Sequence, residues 1–151
     1  MKLNADAGNH RTQMMGITLP SDSKLPAAKP GRRILVVDDS DDAAWALAMQ
    51  LQLEGYAVDV AQDGRRAIEL AERMRPAVIF LDLAMPDMDG FETAWRIRRR
   101  SWGRAILLCA LTAYDSLEFR ERSKQTGFNH HLAKPASWED LLAVLREASP
   151  A

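Results

Sequence analysis

Four apolar residues, Val78-Ile79-Phe80-Leu81, run directly into a lone carboxylate, Asp82, and then into the turn formers Pro86 and Asp89-Gly90. An apolar run this short, β-branched or aromatic in character, reads as a strand buried on both faces, which requires helices on both sides of the sheet. An acid at the carboxyl end of such a strand sits where open α/β sheets place their ligands. Taken alone, it is as readily a turn residue or a helix cap. The rest of the chain has to decide.

The pattern recurs along the sequence. Ile34-Leu35-Val36-Val37 leads into Asp38-Asp39-Ser40-Asp41-Asp42, and Tyr56 to Ala61 alternates as a short strand. Ala105 to Leu111 ends in Thr112, and Phe128 to Ala133 ends in Lys134-Pro135. Between these runs, residues 43–54, 65–75, 90–100, 116–126 and 138–148 read as helices. The first takes Ser40 or Asp41 as cap and Trp45, Leu47, Met49, Leu51 and Leu53 as its apolar side; the second turns Ala67, Ile68, Leu70, Ala71 and Met74 inward. The third places Phe91, Ala94, Trp95 and Ile97 inward and Arg96, Arg98, Arg99 and Arg100 largely outward. The fourth is mostly polar and closed by Gly127, and Ser137 caps the last, which carries Leu141, Leu142, Val144 and Leu145. Strands alternating with helices over short connections predict a flavodoxin-like (βα)5 fold, a doubly wound five-stranded parallel sheet in a three-layer α/β/α sandwich.

Residues 1–31 differ in character from the remainder of the chain. They are rich in Asn, Ser, Ala, Gly and Pro, with Met14-Met15-Gly16-Ile17 as an apolar patch too short for a core. This stretch is expected to be a flexible tail or linker, and the domain is expected at 32–148. A net charge of −1 over 151 residues argues against a field built for nucleic acid or an anionic membrane. No apolar run approaches a membrane span, and the N-terminus lacks the layout of a secretion signal. The single cysteine, Cys109, lies in an apolar run and reads as a core residue, so a reducing cytoplasm is expected. The arginines at 96 and 98–100, with Arg104, read as a solvated helix face anchored by Trp95 and Trp102.

In one parallel sheet all carboxyl ends of strands share an edge, so Asp38, Asp39, Asp82, Thr112 and Lys134 fall on it together if strands one, three, four and five are neighbours. Carboxylates held close raise one another's pKa unless a cation neutralises them. Oxygen-only ligands, few and partly open to solvent, suit Mg²⁺, and no His or Cys cluster favours zinc. Metal, ammonium and hydroxyl together meet the needs of a transferring phosphoryl group. A carboxylate can itself accept that group as an acyl phosphate.

The motifs VVDDS at 36–40, FLDLAMPDMDG at 80–90, LTA at 111–113 and KP at 134–135 stand in the order and spacing of the receiver domains of two-component response regulators, which residues 32–148 resemble. The stretch Gly127 to Leu132 is most similar to receivers associated with hybrid histidine kinases. The resemblance implies that Asp82 is the phospho-acceptor, fed by a histidine kinase or histidine phosphotransfer protein. It implies Mg²⁺ held by Asp39, Asp82 and the backbone carbonyl of Ala84, with Asp38 acting through water. Thr112 and Lys134 would bind the phosphoryl oxygens, and the Lys134-Pro135 bond would be cis. Ala84 and Tyr114 match positions that tune phosphoryl lifetime. His131 stands where the family often has a Tyr or Phe switch ring, so either a moving, pH-sensitive ring or a plain strand residue fits there. Residues 116–148 form the expected face for a downstream protein, with Trp138 on it, and whether phosphorylation promotes a homodimer is left open. With no output domain following, the signal is expected to leave through a partner. An aspartyl-nucleophile phosphohydrolase is the rival reading, disfavoured because Ala84 stands where its second acid belongs. A flavin-binding module would need a phosphate-cradling loop where this chain has acids.

Overall fold

The computed structural model describes residues 32–148; the tail expected at residues 1–31 lies outside them. Five strands, β1 (Arg33–Val37), β2 (Ala57–Ala61), β3 (Val78–Asp82), β4 (Leu107–Thr112) and β5 (His130–Ala133), alternate with five helices. These are α1 (Asp41–Leu53), α2 (Gly64–Met74), α3 (Gly90–Arg98), α4 (Leu117–Thr126) and α5 (Trp138–Ala148). A 3-10 turn, Ser101–Gly103, follows α3. All strand pairs are parallel, in the order β2-β1-β3-β4-β5. The expected doubly wound sheet is therefore present, and β1, β3, β4 and β5 are neighbours.

Period-two alternation along the central strands divides the core into two layers. Leu35, Val37, Ile79, Leu81, Leu108 and Ala110 face Ala67 and Ile68 of α2 and Phe91, Ala94 and Ile97 of α3, with Phe119 of α4 packed at the margin. Ile34, Val36, Val78, Phe80, Cys109 and Leu111 face Ala44, Ala48 and Leu51 of α1 and Leu141, Val144 and Leu145 of α5. Each large apolar side chain buried this way stabilises the fold by about 1.5–3 kcal/mol. Cys109 belongs to this second layer as a core residue, and burial pushes its thiol pKa up to about 12.

Every helix starts at a polar cap whose side chain accepts a backbone N–H three residues on. The pairs are Ser40 with Ala43, Asp63 with Arg66, Asp89 with Glu92, Ser116 with Phe119 and Ser137 with Asp140. The α1 cap is thus Ser40. Gly127 closes α4 with φ 108°, a conformation costly for a residue with a Cβ. At Gly90 a Cβ would run into the carbonyl oxygen of Asp82, so only glycine lets α3 begin directly against the end of β3.

Several side-chain expectations change. On α1 the buried residues are Ala44, Ala48 and Leu51, while Leu53 is 57% exposed; an every-second-residue series cannot occupy one face of a 3.6-residue helix. Trp95 is half exposed and does not anchor α3, whereas Trp102 does pack on the core. Arg98 is not outward: its guanidinium donates to the carbonyls of Gly127, Gly103, Arg104 and Ile106 and to Asn129 Oδ1. It ties α3 to the entrances of β4 and β5. Those two strands start two residues later than the apolar runs, because Ala105-Ile106 and Phe128-Asn129 lead in from loops.

Candidate functional site

The pairing of β1 with β3 sets the carboxyl ends of both strands side by side. Asp38 and Asp39 follow β1 and Asp82 ends β3, and their carboxylate oxygens lie within 4.8 Å of one another. Asp38 and Asp82 are buried, whereas Asp39 is exposed. The backbone orients the two buried acids. Ser40 N donates to Asp38 Oδ1 at 2.9 Å, and Ala84 N donates to Asp82 Oδ1 at 3.2 Å.

Lys134 arrives from the far side. The chain leaving β5 is held to β4 by Lys134 N donating to the Thr112 carbonyl at 2.8 Å, and the Lys134–Pro135 bond is cis. Lys134 Nζ donates to Asp38 Oδ2 at 2.7 Å and stands 3.5 Å from Asp82 Oδ2. One ammonium therefore meets two of the three carboxylates, Asp38 and Asp82.

Burial pushes the Asp82 carboxyl up to about 6; Lys134 and the Ala84 N–H oppose the rise, while Asp38 and Asp39 add to it. The Lys134 ammonium is raised above its ordinary range: burial works against the charge, but the hydrogen bond to Asp38 and the charge on Asp82 outweigh it. The site carries an excess of negative charge that a further cation would relieve. Its donors are all hard oxygens, and exposed Asp39 leaves one side open to water, so the set fits Mg²⁺.

Thr112 is fully buried, but its hydroxyl serves its own loop. It accepts from Tyr114 N at 2.9 Å and donates to the Tyr114 carbonyl at 3.2 Å. Tyr114 is 61% exposed, its ring 6.1 Å from that of Phe119. His130 and His131 point to opposite faces of β5: His130 Nε2 meets Glu147 of α5 at 2.7 Å, and His131 Nδ1 meets Ser123 Oγ of α4 at 3.0 Å. The His131 side chain is only 7% exposed, so it is more buried than a half-exposed strand residue. Trp138, expected on a partner surface, is partly buried against the α1–α5 layer. Ser123 is the neighbour that sequence reasoning misses. It stands four residues after the inward Phe119, a spacing that places both on one helix face.

The response regulator receiver domain family matches residues 34–146, and the chain belongs to that family. The response regulator MprA of Mycolicibacterium vanbaalenii is 40% identical over 114 residues, which is 76% of this chain and 48% of the relative. The chain thus spans about half the length of the MprA relatives it matches. Among solved structures, the chemotaxis protein CheY4 of Vibrio cholerae aligns with a TM-score of 0.73 at 34% identity, covering 82% of this chain and 99% of that one. The receiver domain of the sensor histidine kinase PA1611 of Pseudomonas aeruginosa, with magnesium coordinated in its active-site cleft, aligns with a TM-score of 0.71 at 34% identity, covering 78% and 96%. Among the described residues, no helix is long and apolar enough to cross a membrane.

Proposed function

We propose that this receiver is a phosphorylation-controlled signalling module whose acceptor is Asp82. The observation that carries the reading is the convergence of Asp38, Asp39 and Asp82 within 4.8 Å, with Lys134 Nζ 2.7 Å from Asp38 and 3.5 Å from Asp82. A carboxylate oxygen of Asp82 attacks phosphorus in a phosphohistidine of a kinase or phosphotransfer protein. The new O–P bond forms as the N–P bond breaks, leaving an acyl phosphate on Asp82 and a histidine on the donor. Asp38, Asp39, Asp82 and the Ala84 backbone carbonyl would hold Mg²⁺. When bound, the ion supplies positive charge that neutralises the acids and the incoming phosphoryl oxygens. Lys134 pairs with one of those oxygens, and the Thr112 hydroxyl gives up Tyr114 to reach another. Release of the Tyr114 backbone moves the β4–α4 loop, and a downstream protein reads the change on the 116–148 face in the cytoplasm.

Transfer from phosphoramidate, a small donor with a P–N bond, tests the reading. Hydroxylamine should strip the label as expected of an acyl phosphate. A hydroxylamine-stable label, as on Ser or Thr, would contradict it.

A further inference from the structure

His131 joins three elements around one buried imidazole. On the α4 side Ser123 Oγ is 3.0 Å from Nδ1, and the same hydroxyl donates to the Arg120 carbonyl at 2.9 Å. Serine has one hydroxyl proton, so with that proton on Arg120 O the imidazole donates from Nδ1 to Ser123. The unprotonated nitrogen is then Nε2. It is buried without a hydrogen-bond partner and stands 3.5 Å from Asp115 Oδ1. A bare lone pair thus faces a carboxylate oxygen, an arrangement that a proton placed between them would convert into an ion pair.

The carboxylate is already claimed. Arg120 Nε meets the same Asp115 Oδ1 at 2.7 Å, and Arg120 Nη2 meets Oδ2 at 3.0 Å. Arg120 and a protonated His131 therefore compete for one oxygen. Asp115 directly follows Tyr114, whose backbone N–H and carbonyl are gripped by the Thr112 hydroxyl. The charged groups facing the ring are Asp115 from the β4–α4 loop and Arg120 from α4. In register on β4 stands Ala110, which cannot titrate, and His130 turns away to Glu147 of α5. Burial and Arg120 hold the ring below its ordinary titration range, so it is neutral at neutral pH.

We propose that His131, Ser123 and Asp115 form a proton-linked latch that sets the β4–α4 loop: His131 is its positioning residue, and one proton taken up at Nε2 draws Asp115 from Arg120 toward β5. By linkage, a loop movement that frees Asp115 from Arg120 favours proton uptake, and acid favours that loop setting. Only the loop's importance for signalling rests on the phospho-acceptor reading. The latch itself is testable without any phosphoryl donor.

NMR pH titration of the unphosphorylated protein follows the His131 ring together with the Tyr114 and Asp115 amides. The expected result is a common midpoint for ring and amides, below the ordinary histidine value. In Arg120→Gln that midpoint rises by about half a pH unit or more, and in Asp115→Asn it falls by a similar amount. In His131→Phe, which keeps a ring in place, the amide response disappears between about pH 5 and 7. Ser123→Ala, a smaller change for a case where His131→Phe does not fold, leaves Nδ1 without its acceptor and uncouples the α4 amides from the ring. Amides that titrate independently of His131, or a wild-type response in the folded variants, would overturn the latch. Acyl-phosphate formation would be unaffected by that outcome, so failure of the latch and failure of the acceptor reading are separable.

Discussion

Replacing Asp82 by Asn tests the electrostatic account without any phosphoryl chemistry. The Asp82 carboxyl is raised from 3.8 to about 6 in the folded protein, chiefly by burial and with Asp38 and Asp39 adding to it. Because the folded value lies above the unfolded one, the folded state binds the proton more tightly. Stability therefore falls as pH rises from about 4 to about 6, and the full penalty is present above that window. A difference of about two pH units corresponds to about 3 kcal/mol. The amide keeps an oxygen for Ala84 N but turns an N–H toward the Lys134 ammonium, which offsets part of the gain. The variant should be more stable than the parent by about 1–3 kcal/mol at pH 7.5 without divalent metal. Urea unfolding with EDTA at pH 4, 5, 6 and 7.5 measures the gap, which should close near pH 4. Mg²⁺ at ten times its dissociation constant should then stabilise the parent alone by about 1.4 kcal/mol. An Asn variant less stable than the parent at pH 7.5 in EDTA, or a gap that ignores pH, would refute the reasoning.

Lys134→Ala removes the ammonium that offsets Asp38 and Asp82; stability at pH 7 should fall by about 1–3 kcal/mol in urea unfolding, while Mg²⁺ binding, followed by calorimetry, tightens because a competing cation is gone. Arg98→Ala leaves four carbonyls without the guanidinium that donates to them, and Asn129 Oδ1 with Leu108 N alone; it should cost about 2–4 kcal/mol, and Arg98→Lys should restore little of it because an ammonium cannot span that set. Cys109, with its thiol pushed up to about 12, should resist a thiol-reactive dye in the folded protein and react once it is unfolded in urea.

Much of this is legible in the sequence because parallel sheets gather chemistry by rule. A short apolar run closed by one polar residue, repeated with helices between, is enough to put Asp38, Asp82, Thr112 and Lys134 on one edge. The features that are not legible depend on partners distant in the chain. Arg98 looks like Arg96, Arg99 and Arg100, yet its acceptors include Gly127 and Asn129, and no local pattern announces them. On α1 a hydropathy reading finds Leu51, with Trp45 and Leu47 packed beside it, but passes over Ala44 and Ala48, small residues that are fully buried against the sheet and carry little hydropathy. Hydropathy alone turns Trp95 inward, although Arg99 lies over its ring at 4.7 Å on the exposed side. Thr112 ends β4 as its apolar run indicates, but the engagement of its hydroxyl by Tyr114 is a property of the loop's turn, visible only in three dimensions.

Intact mass spectrometry after incubation with acetyl phosphate and Mg²⁺, sampled from seconds to minutes, tests the central claim most directly. A single phosphoryl adduct is predicted, absent with EDTA and absent in Asp82→Asn. An adduct that persists in Asp82→Asn, or none at any time on a folded protein that binds Mg²⁺, would contradict the assignment of Asp82 as the acceptor.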